Sequence, residues 1–293
     1  MTILTGIGEY IGKLFSVEPK PIDDSLEEKI NKALAEEREK IRPSREDIDD
    51  FSWVTKDNNP IHRIPKRAKK LGFNDIPLMG AHVAAYGEQF MERVVEHMKE
   101  YWGAEIKIIG QDNHFKSAVY PGERILWQVV GYKKRDGEIE LNAEGKVKDK
   151  KAIDITTKLG NRYYEMPQIA GPIYYRRYLI EEEHLETFYN CVGGKSNGKV
   201  PKILPSAFVP ATLLSLLEEK TQSMEGANLS MDFNFLEEPE IGRLQVDIFP
   251  AREPKQRGDY YLYKFKTVCS QKTNPIVYGG ILSSTKNLIK FDL

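Results

Sequence analysis

In this chain of 293 residues, the side chains whose types and spacing suit chemistry fall together between Thr55 and Ala81. Asp57 and His62 lie five positions apart, separated by an Asn-Pro step. Proline fixes its own φ and pushes the residue before it out of the helical region, so Asn59-Pro60 marks a turn. The carboxylate and the imidazole need not share one helix face. They can converge from either side of a kinked loop, with Asn59 placed to hold the bend by a side-chain bond to the backbone. A carboxylate and an imidazole aimed at one spot can hold, polarise and deprotonate a water molecule. Further on, Pro77-Leu78-Met79-Gly80 precedes an apolar run from Val83 to Val95. Glycine at the mouth of a buried helix lets a substrate approach the backbone. The free N–H groups of the first turn can then stabilise a developing oxyanion. Together these features suit addition to, or elimination from, a carbonyl-activated double bond. The plainer alternative is a well-made turn beside a helix, with Asp57 capping and His62 satisfied by backbone.

The string FSWVTKDNNPIH, with Ala68, Gly72-Phe73 and Pro77 to Gly80, resembles the signature of MaoC-type hotdog (R)-specific enoyl-CoA hydratases. In words, that signature is an aromatic, a short spacer, Ser-Gly-Asp, any residue, Asn-Pro, an aliphatic and His. Here Thr55-Lys56 stands in place of Ser-Gly, and the run from proline to glycine is one residue shorter. The resemblance implies Asp57 and His62 as a catalytic dyad and the Gly80 N–H as oxyanion donor, with Asn59 in support. It implies a hydro-lyase of fatty acid metabolism: reversible hydration of a trans-2-enoyl thioester to the (R)-3-hydroxyacyl product. Coenzyme A enters only as part of the substrate, with acyl carrier protein as the other carrier, and no separate cofactor or metal is implied. Two other classes stay open, a hotdog acyl-CoA thioesterase and a non-catalytic acyl-CoA-binding scaffold that has kept an old motif. Lys56 is the residue that argues for the second.

The surrounding elements must position these groups. Asp24 to Ile41 carries Leu26, Ile30, Ala33-Leu34 and Ile41 at helical spacing, which predicts a surface helix. Against the family pattern it reads as an insertion over about residues 24–42. Ser44 and Asp47 form a capping-box pattern that opens a second helix, with Ile48, Phe51 and Trp53-Val54 on its buried side. After His62 comes a basic stretch. Its Lys66, Arg67 and Lys70 are either a solvated helix face or contacts for the phosphates of coenzyme A. The segment from Ile76 to Trp102 predicts a long helix buried on more than one side. His82 on it reads as a packed core residue. From Glu105 the period becomes strand-like, with turns at Gln111-Asp112-Asn113, Pro121-Gly122, Asp136-Gly137 and Lys148-Asp149.

After a join over Asn161 to Gly171 the same order recurs in degraded form. Ile180 to Phe188 parallels Arg45 to Phe51, and Phe233 to Ile248 parallels the stretch from Phe115. The expected fold is therefore α+β, a double hotdog: two curved antiparallel sheets, each wrapping a central helix, fused in one chain. Its units are residues 1–165 and 166–293. The second has Val192-Gly193-Gly194-Lys195-Ser196-Asn197-Gly198-Lys199 where the first has the dyad, and so reads as non-catalytic. Fusion makes intramolecular the pairing that otherwise needs a dimer. A homodimer of double hotdogs is still open to it.

Composition narrows the classes. A formal net charge of −1 implies no polyelectrolyte partner such as nucleic acid. Cys191 and Cys269 lack metal-site spacing and read as buried thiols. No apolar run approaches a bilayer span. The opening residues lack a secretory pattern, with Ile7 to Ser16 reading as a strand or turn. A cytoplasmic protein is the default expectation.

Overall fold

The computed structural model describes residues 24–135, 137–169, 171–194, 198–221, 227–285 and 288, so the segment Ile7 to Ser16 lies outside it. The first half comprises α1 (Asp24–Glu36), β1 (Arg38–Ile41), α2 (Arg45–Thr55), a 3₁₀ turn (Pro60–His62), α3 (Pro65–Lys70) and α4 (Gly80–Trp102). Four strands follow: β2 (Lys107–Phe115), β3 (Ile125–Arg135), β4 (Glu138–Val147) and β5 (Lys150–Gly160). The second half has β6 (Tyr174–Ile180), α5 (Glu182–Cys191), α6 (Ile203–Ala207) and α7 (Val209–Thr221). It ends in β7 (Ala227–Phe235), β8 (Gly242–Pro250), β9 (Lys255–Arg257), β10 (Tyr260–Gln271) and β11 (Asn274–Thr285).

The strands form one 11-stranded antiparallel sheet in the order β1-β3-β4-β5-β2-β7-β11-β10-β8-β6, with β9 on β10. Its two halves meet where β2 pairs with β7, with Asp112 opposite Asp232. Each of these strands has nine residues. Each carries a β-bulge near its start, between Ile108 and Gly110 in β2 and between Asn228 and Ser230 in β7. Superposing the halves strand on strand sets Lys107 on Ala227, Ile108 on Asn228 and Phe115 on Phe235. The helix–sheet order expected of a double hotdog is thus present twice.

Residue chemistry explains the parts that position the first half's loop. In α2 the Ser44 hydroxyl accepts the Asp47 N–H at 3.1 Å, and the Asp47 carboxylate accepts the Ser44 N–H at 2.6 Å. This capping box satisfies two otherwise orphaned donors. Helix α2 buries Ile48, Phe51 and Val54, but Trp53 is 43% exposed and does not join that face as expected. The long helix α4 lies directly on the sheet. A Cβ at Gly87 would sit 2.0 Å from Ile155 Cδ1 and 2.9 Å from the Trp127 ring, so only glycine lets helix and sheet meet there.

Two expectations fail. The predicted helix over Asp24 to Ile41 ends at Glu36, and Arg38–Ile41 pairs with β3 as an edge strand. Backbone pairing with an open sheet edge overrides helix propensity there. The turn expected at Gln111-Asp112-Asn113 is the middle of β2, which runs unbroken and is paired on both sides. Gln111 and Asn113 are buried there: Gln111 Nε2 donates to Asn113 Oδ1 at 2.8 Å, and Asn113 Nδ2 donates to the Met231 carbonyl at 3.4 Å. The turns at Pro121-Gly122 and Lys148-Asp149 are present, the latter with φ of 49° and 65°.

The expected join is irregular over its described residues. Cys191 and Cys269 are free and buried. Among the described residues, no helix is long and apolar enough to cross a membrane.

Candidate active site

Helix α2 ends at Thr55, and Lys56 turns the chain out of it in the left-handed conformation, φ 60° and ψ 21°. The Ser52 hydroxyl donates to the Asp57 carbonyl at 2.5 Å and fixes the exit. Asp57 then faces inward. Its Oδ1 accepts the Asn59 N–H at 3.1 Å, and Asn59 Oδ1 accepts the Ile61 N–H at 3.2 Å. The Asn-Pro step is thus locked from both sides, as its sequence suggests. The 3₁₀ turn that Pro60 begins delivers His62 back toward Asp57.

Asp57, Asn59 and His62 are all buried. His62 Nδ1 lies 2.8 Å from the Pro77 carbonyl. A carbonyl only accepts, so Nδ1 carries the proton and Nε2 is left as an acceptor. Burial lifts the Asp57 carboxyl above the usual carboxylate range, against the opposing pull of His62. Burial lowers the His62 imidazole, against the pull of the Asp57 charge and the bond to Pro77. The two shifts favour a neutral imidazole beside an unusually basic carboxylate.

The third component is the start of α4. The Leu78 N–H is held by the Val119 carbonyl at 2.8 Å, and the first helical bond runs from the Val83 N–H to the Met79 carbonyl at 3.1 Å. No side chain caps this end. The N–H groups of Gly80, Ala81 and His82 precede that first bond, which leaves helix-start donors open. At Gly80 an added Cβ would come within 3.1 Å of the Phe115 ring, so a glycine keeps the approach clear.

Asp57, Asn59, His62 and Gly80 all line one cavity of about 290 Å³. Apolar walls come from Ile61, Leu78, Val83, Phe115 and Val119, and the far side is Ala227, Asn228 and Leu229 from β7 in the second half. The arrangement offers two proton acceptors beside a backbone donor site in an apolar hollow.

Lys66, Arg67 and Lys70 are exposed on α3 and do not line the cavity. The cation at its rim is Lys116, whose Nζ lies 3.4 Å from Asp154 Oδ2. Sequence reasoning passed over Lys116, although it directly follows Phe115 in the stretch that Phe233 to Ile248 parallels. Nothing local pointed to Asn228, which only the pairing of the two halves brings to the site. The Lys56 side chain stays clear of the cavity, with Nζ 4.7 Å from the Trp53 ring centroid. His82 is a core residue, stacked 4.4 Å from Phe51 and 4.8 Å from Tyr86. Its Nε2–H donates to the Cys191 carbonyl at 2.9 Å, and burial pushes its pKa down to about 4. In the second half, Lys195 to Asn197 lie outside the described residues.

Comparison with known proteins bears on the family and the fold. Residues 22–152 match the family described as MaoC like domain. A mitochondrial 3-hydroxyacyl-[acyl-carrier-protein] dehydratase of Arabidopsis thaliana is 30% identical over 128 residues, 44% of this chain and 66% of that one. The match thus spans just under two thirds of that relative's length. Among solved structures, a MaoC domain protein described as a dehydratase from Chloroflexus aurantiacus superposes with a TM-score of 0.62 at 9% identity. The superposition covers 84% of this chain and 93% of that one. A Mycobacterium tuberculosis protein with a double hotdog fold gives 0.58 at 9% identity, covering 84% and 93%. The full-length peroxisomal multifunctional enzyme type 2 of Drosophila melanogaster gives 0.52 at 10% identity, covering 97% of this chain and 53% of that one. At such identities the superpositions speak for the fold alone. Residues 22–152 therefore match a MaoC like domain, in a chain that has the double hotdog fold.

Proposed function

We propose that the chain is an (R)-specific hydratase and dehydratase of 2-enoyl thioesters, with residues 1–165 supplying the chemistry and 166–293 completing the fold and the cavity. One observation carries the reading: Asp57, His62 and the uncapped start of α4 at Gly80 open onto the same hollow. A single water would donate its two hydrogens to His62 Nε2 and the free oxygen of Asp57, leaving a lone pair toward C3. As oxygen adds to C3, the dyad takes one proton from the water. The negative charge passes through C2 to the thioester oxygen, where the Gly80 N–H would hold it. The dyad then gives a proton to C2, so hydrogen and hydroxyl are added with no net proton consumed. Dehydration is the reverse. Asn59 orients the loop. The acyl group would be carried by coenzyme A or an acyl carrier protein, the second being the carrier in the name of the Arabidopsis relative.

The test is purified protein with a series of 2-enoyl-CoA substrates, following loss of the conjugated thioester, product chirality and free thiol together. Hydration to the (R)-3-hydroxy product supports the reading. Thiol release without hydration would make the chain a thioesterase. Binding without turnover would make it a scaffold.

A further inference from the structure

We infer that Asn228, from the second half of the chain, binds the amide-bearing arm of the thioester at the mouth of the first half's cavity. This rests on the proposed thioester chemistry and names a contact that governs affinity.

Regular alternation along β7 would set Asn228 on the outer face with Ser230, Asp232 and Asn234, opposite the buried Met231, Phe233 and Phe235. The bulge at Leu229 breaks that alternation. Ser230 pairs with Leu282, but Asn228 pairs with Ser283, which is 3% exposed and shares the inner face with Ile281 and Thr285. An extra residue in a strand reverses the facing of what precedes it. Asn228 is thereby turned inward, onto the cavity wall.

The corresponding strand β2 carries the corresponding bulge, with Ile108 paired to Leu159 and Gly110 to Lys158. The residue it turns inward is Ile108, apolar and 4% exposed. The same device thus presents isoleucine in one half and a carboxamide in the half that faces Asp57 and His62.

Apart from His62 Nε2, the second Asp57 oxygen and the Gly80 N–H, which the proposed chemistry uses, the other polar groups of the wall are engaged. Asp57 Oδ1 and Asn59 Oδ1 hold the loop, His62 Nδ1 holds Pro77, the Ser117 hydroxyl donates to the Lys151 carbonyl at 3.4 Å, and Lys116 faces Asp154. Among the described residues, the Asn228 side chain has no hydrogen-bond partner. A carboxamide offers a donor and an acceptor together and matches a secondary amide. The enoyl chain and thioester offer no donor. Position agrees with this. Asp57, His62 and Leu78 are buried, whereas Asn228 is partly exposed and Leu229, Lys116 and Ser117 are on the outer side. With the thioester oxygen at Gly80, an arm leading outward would run along the wall that Asn228 lines with Leu229, Lys116 and Ser117, and in pantetheine that arm contains amides.

The experiment measures binding of S-butyl-pantetheine, which has both amides and no thioester to turn over, to the wild type, Asn228→Leu and Asn228→Ala. Loss of one neutral hydrogen bond predicts about five- to tenfold weaker binding in both variants. With crotonyl-CoA the loss should fall on KM rather than kcat, and it should vanish with S-ethyl thiocrotonate, which lacks amides. Equal binding by all three proteins, or equal losses on both thioesters, overturns the inference. Either variant alone suffices if the other fails to fold. Because the binding assay needs no turnover, its failure is distinguishable from a failure of hydratase activity.

Discussion

The two helix starts that face the seam have opposite fates. At Gly80 the first-turn donors open into a cavity beside Asp57 and His62. At Ile203 in the second half, the equivalent N–H is taken by a carboxylate from the first half, Glu88 Oε1 at 3.0 Å. Burial, then the nearby Glu92, pushes the Glu88 carboxyl well above its ordinary range. The cleft beside it is bound up internally. Lys202 Nζ donates to the Ile108 carbonyl at 3.0 Å and lies 3.4 Å from Glu238, while the Tyr163 hydroxyl also bonds Glu238. A hotdog half can therefore keep its sheet, helix and bulge while its anion site is filled from within. What separates the open cavity from the filled joint is a few side chains around each helix start.

The largest effects that would break this contrast are at the dyad. Asp57→Asn and His62→Gln should each cut hydration by about 10²–10⁴-fold, measured as initial rates on crotonyl-CoA. The stability sign for Asp57 is opposite to its catalytic one. Its folded pKa is raised above 3.8, so ionising it at neutral pH costs folding energy, and the asparagine variant should melt no lower than the wild type. The same raised value predicts that kcat/KM falls on the acid side through an apparent pKa above 3.8, which belongs to the pair. Full activity in either variant would remove the dyad.

Gly80→Ala comes next. Its new Cβ would press on the Phe115 ring at 3.1 Å and disturb the approach to the donor. A loss of about tenfold to 10²-fold in kcat is expected, below the about 10²–10³-fold cost of removing an oxyanion donor because the N–H itself is kept. The matching change across the seam is Glu88→Gln, which leaves an acceptor for the Ile203 N–H and should leave hydration unchanged. An equal loss in both variants would mean that the two helix starts are coupled rather than separately employed.

The chemistry was more legible in the sequence than the frame that completes it. Asp57, Asn59-Pro60 and His62 lie within six consecutive residues, so turn chemistry alone foretells that they converge. The capping box at Ser44 and Asp47 is equally local. Strand β1 was hidden because its pattern is set by what lies beside it on the open sheet edge. Gln111 and Asn113 read as a turn because polar residues rarely cross the middle of a sheet; here Gln111 donates to Asn113 along the strand, and Asn113 donates to the Met231 carbonyl, a partner that only the folded seam supplies. Asn228 faces the cavity through a bulge, which no periodicity of side chains announces. The basic run at Lys66, Arg67 and Lys70 suggested phosphate contacts because it is close in sequence to His62. Helix α3 instead keeps those residues outside the cavity lining.

His82 sharpens the comparison by joining the halves. Its imidazole on α4 donates to the Cys191 carbonyl at the end of α5, and its Nδ1 has no partner. The folded pKa of about 4 lies below the unfolded 6.5, so its contribution is whole above 6.5 and is lost as pH falls through 4. That difference corresponds to about 3 kcal/mol. His62 acts in the same direction. Denaturant unfolding at pH 7 and pH 4.5 should show a marked drop for the wild type and a smaller one for His82→Phe, which keeps the stacking on Phe51 and Tyr86. An unchanged drop would assign the acid sensitivity elsewhere.

The smallest effect concerns the two helix exits. After α5 the chain turns through Gly193 at φ 72°, the residue type that this conformation favours. After α2 it turns through Lys56 at φ 60°, where a side chain costs about 1 kcal/mol. Lys56 recovers part of that cost by lying over Trp53, an exposed cation–π contact of about 0.5–1 kcal/mol. Lys56→Gly should therefore change stability by less than about 1 kcal/mol. Trp53→Ala should destabilise the wild type more than it does the Lys56→Gly background, because only the wild type has the contact to lose. Since the Lys56 side chain does not line the cavity, hydration should persist in Lys56→Gly. A large loss of rate would mean that the left-handed exit at Lys56, rather than the Asn59 lock, sets the direction of Asp57.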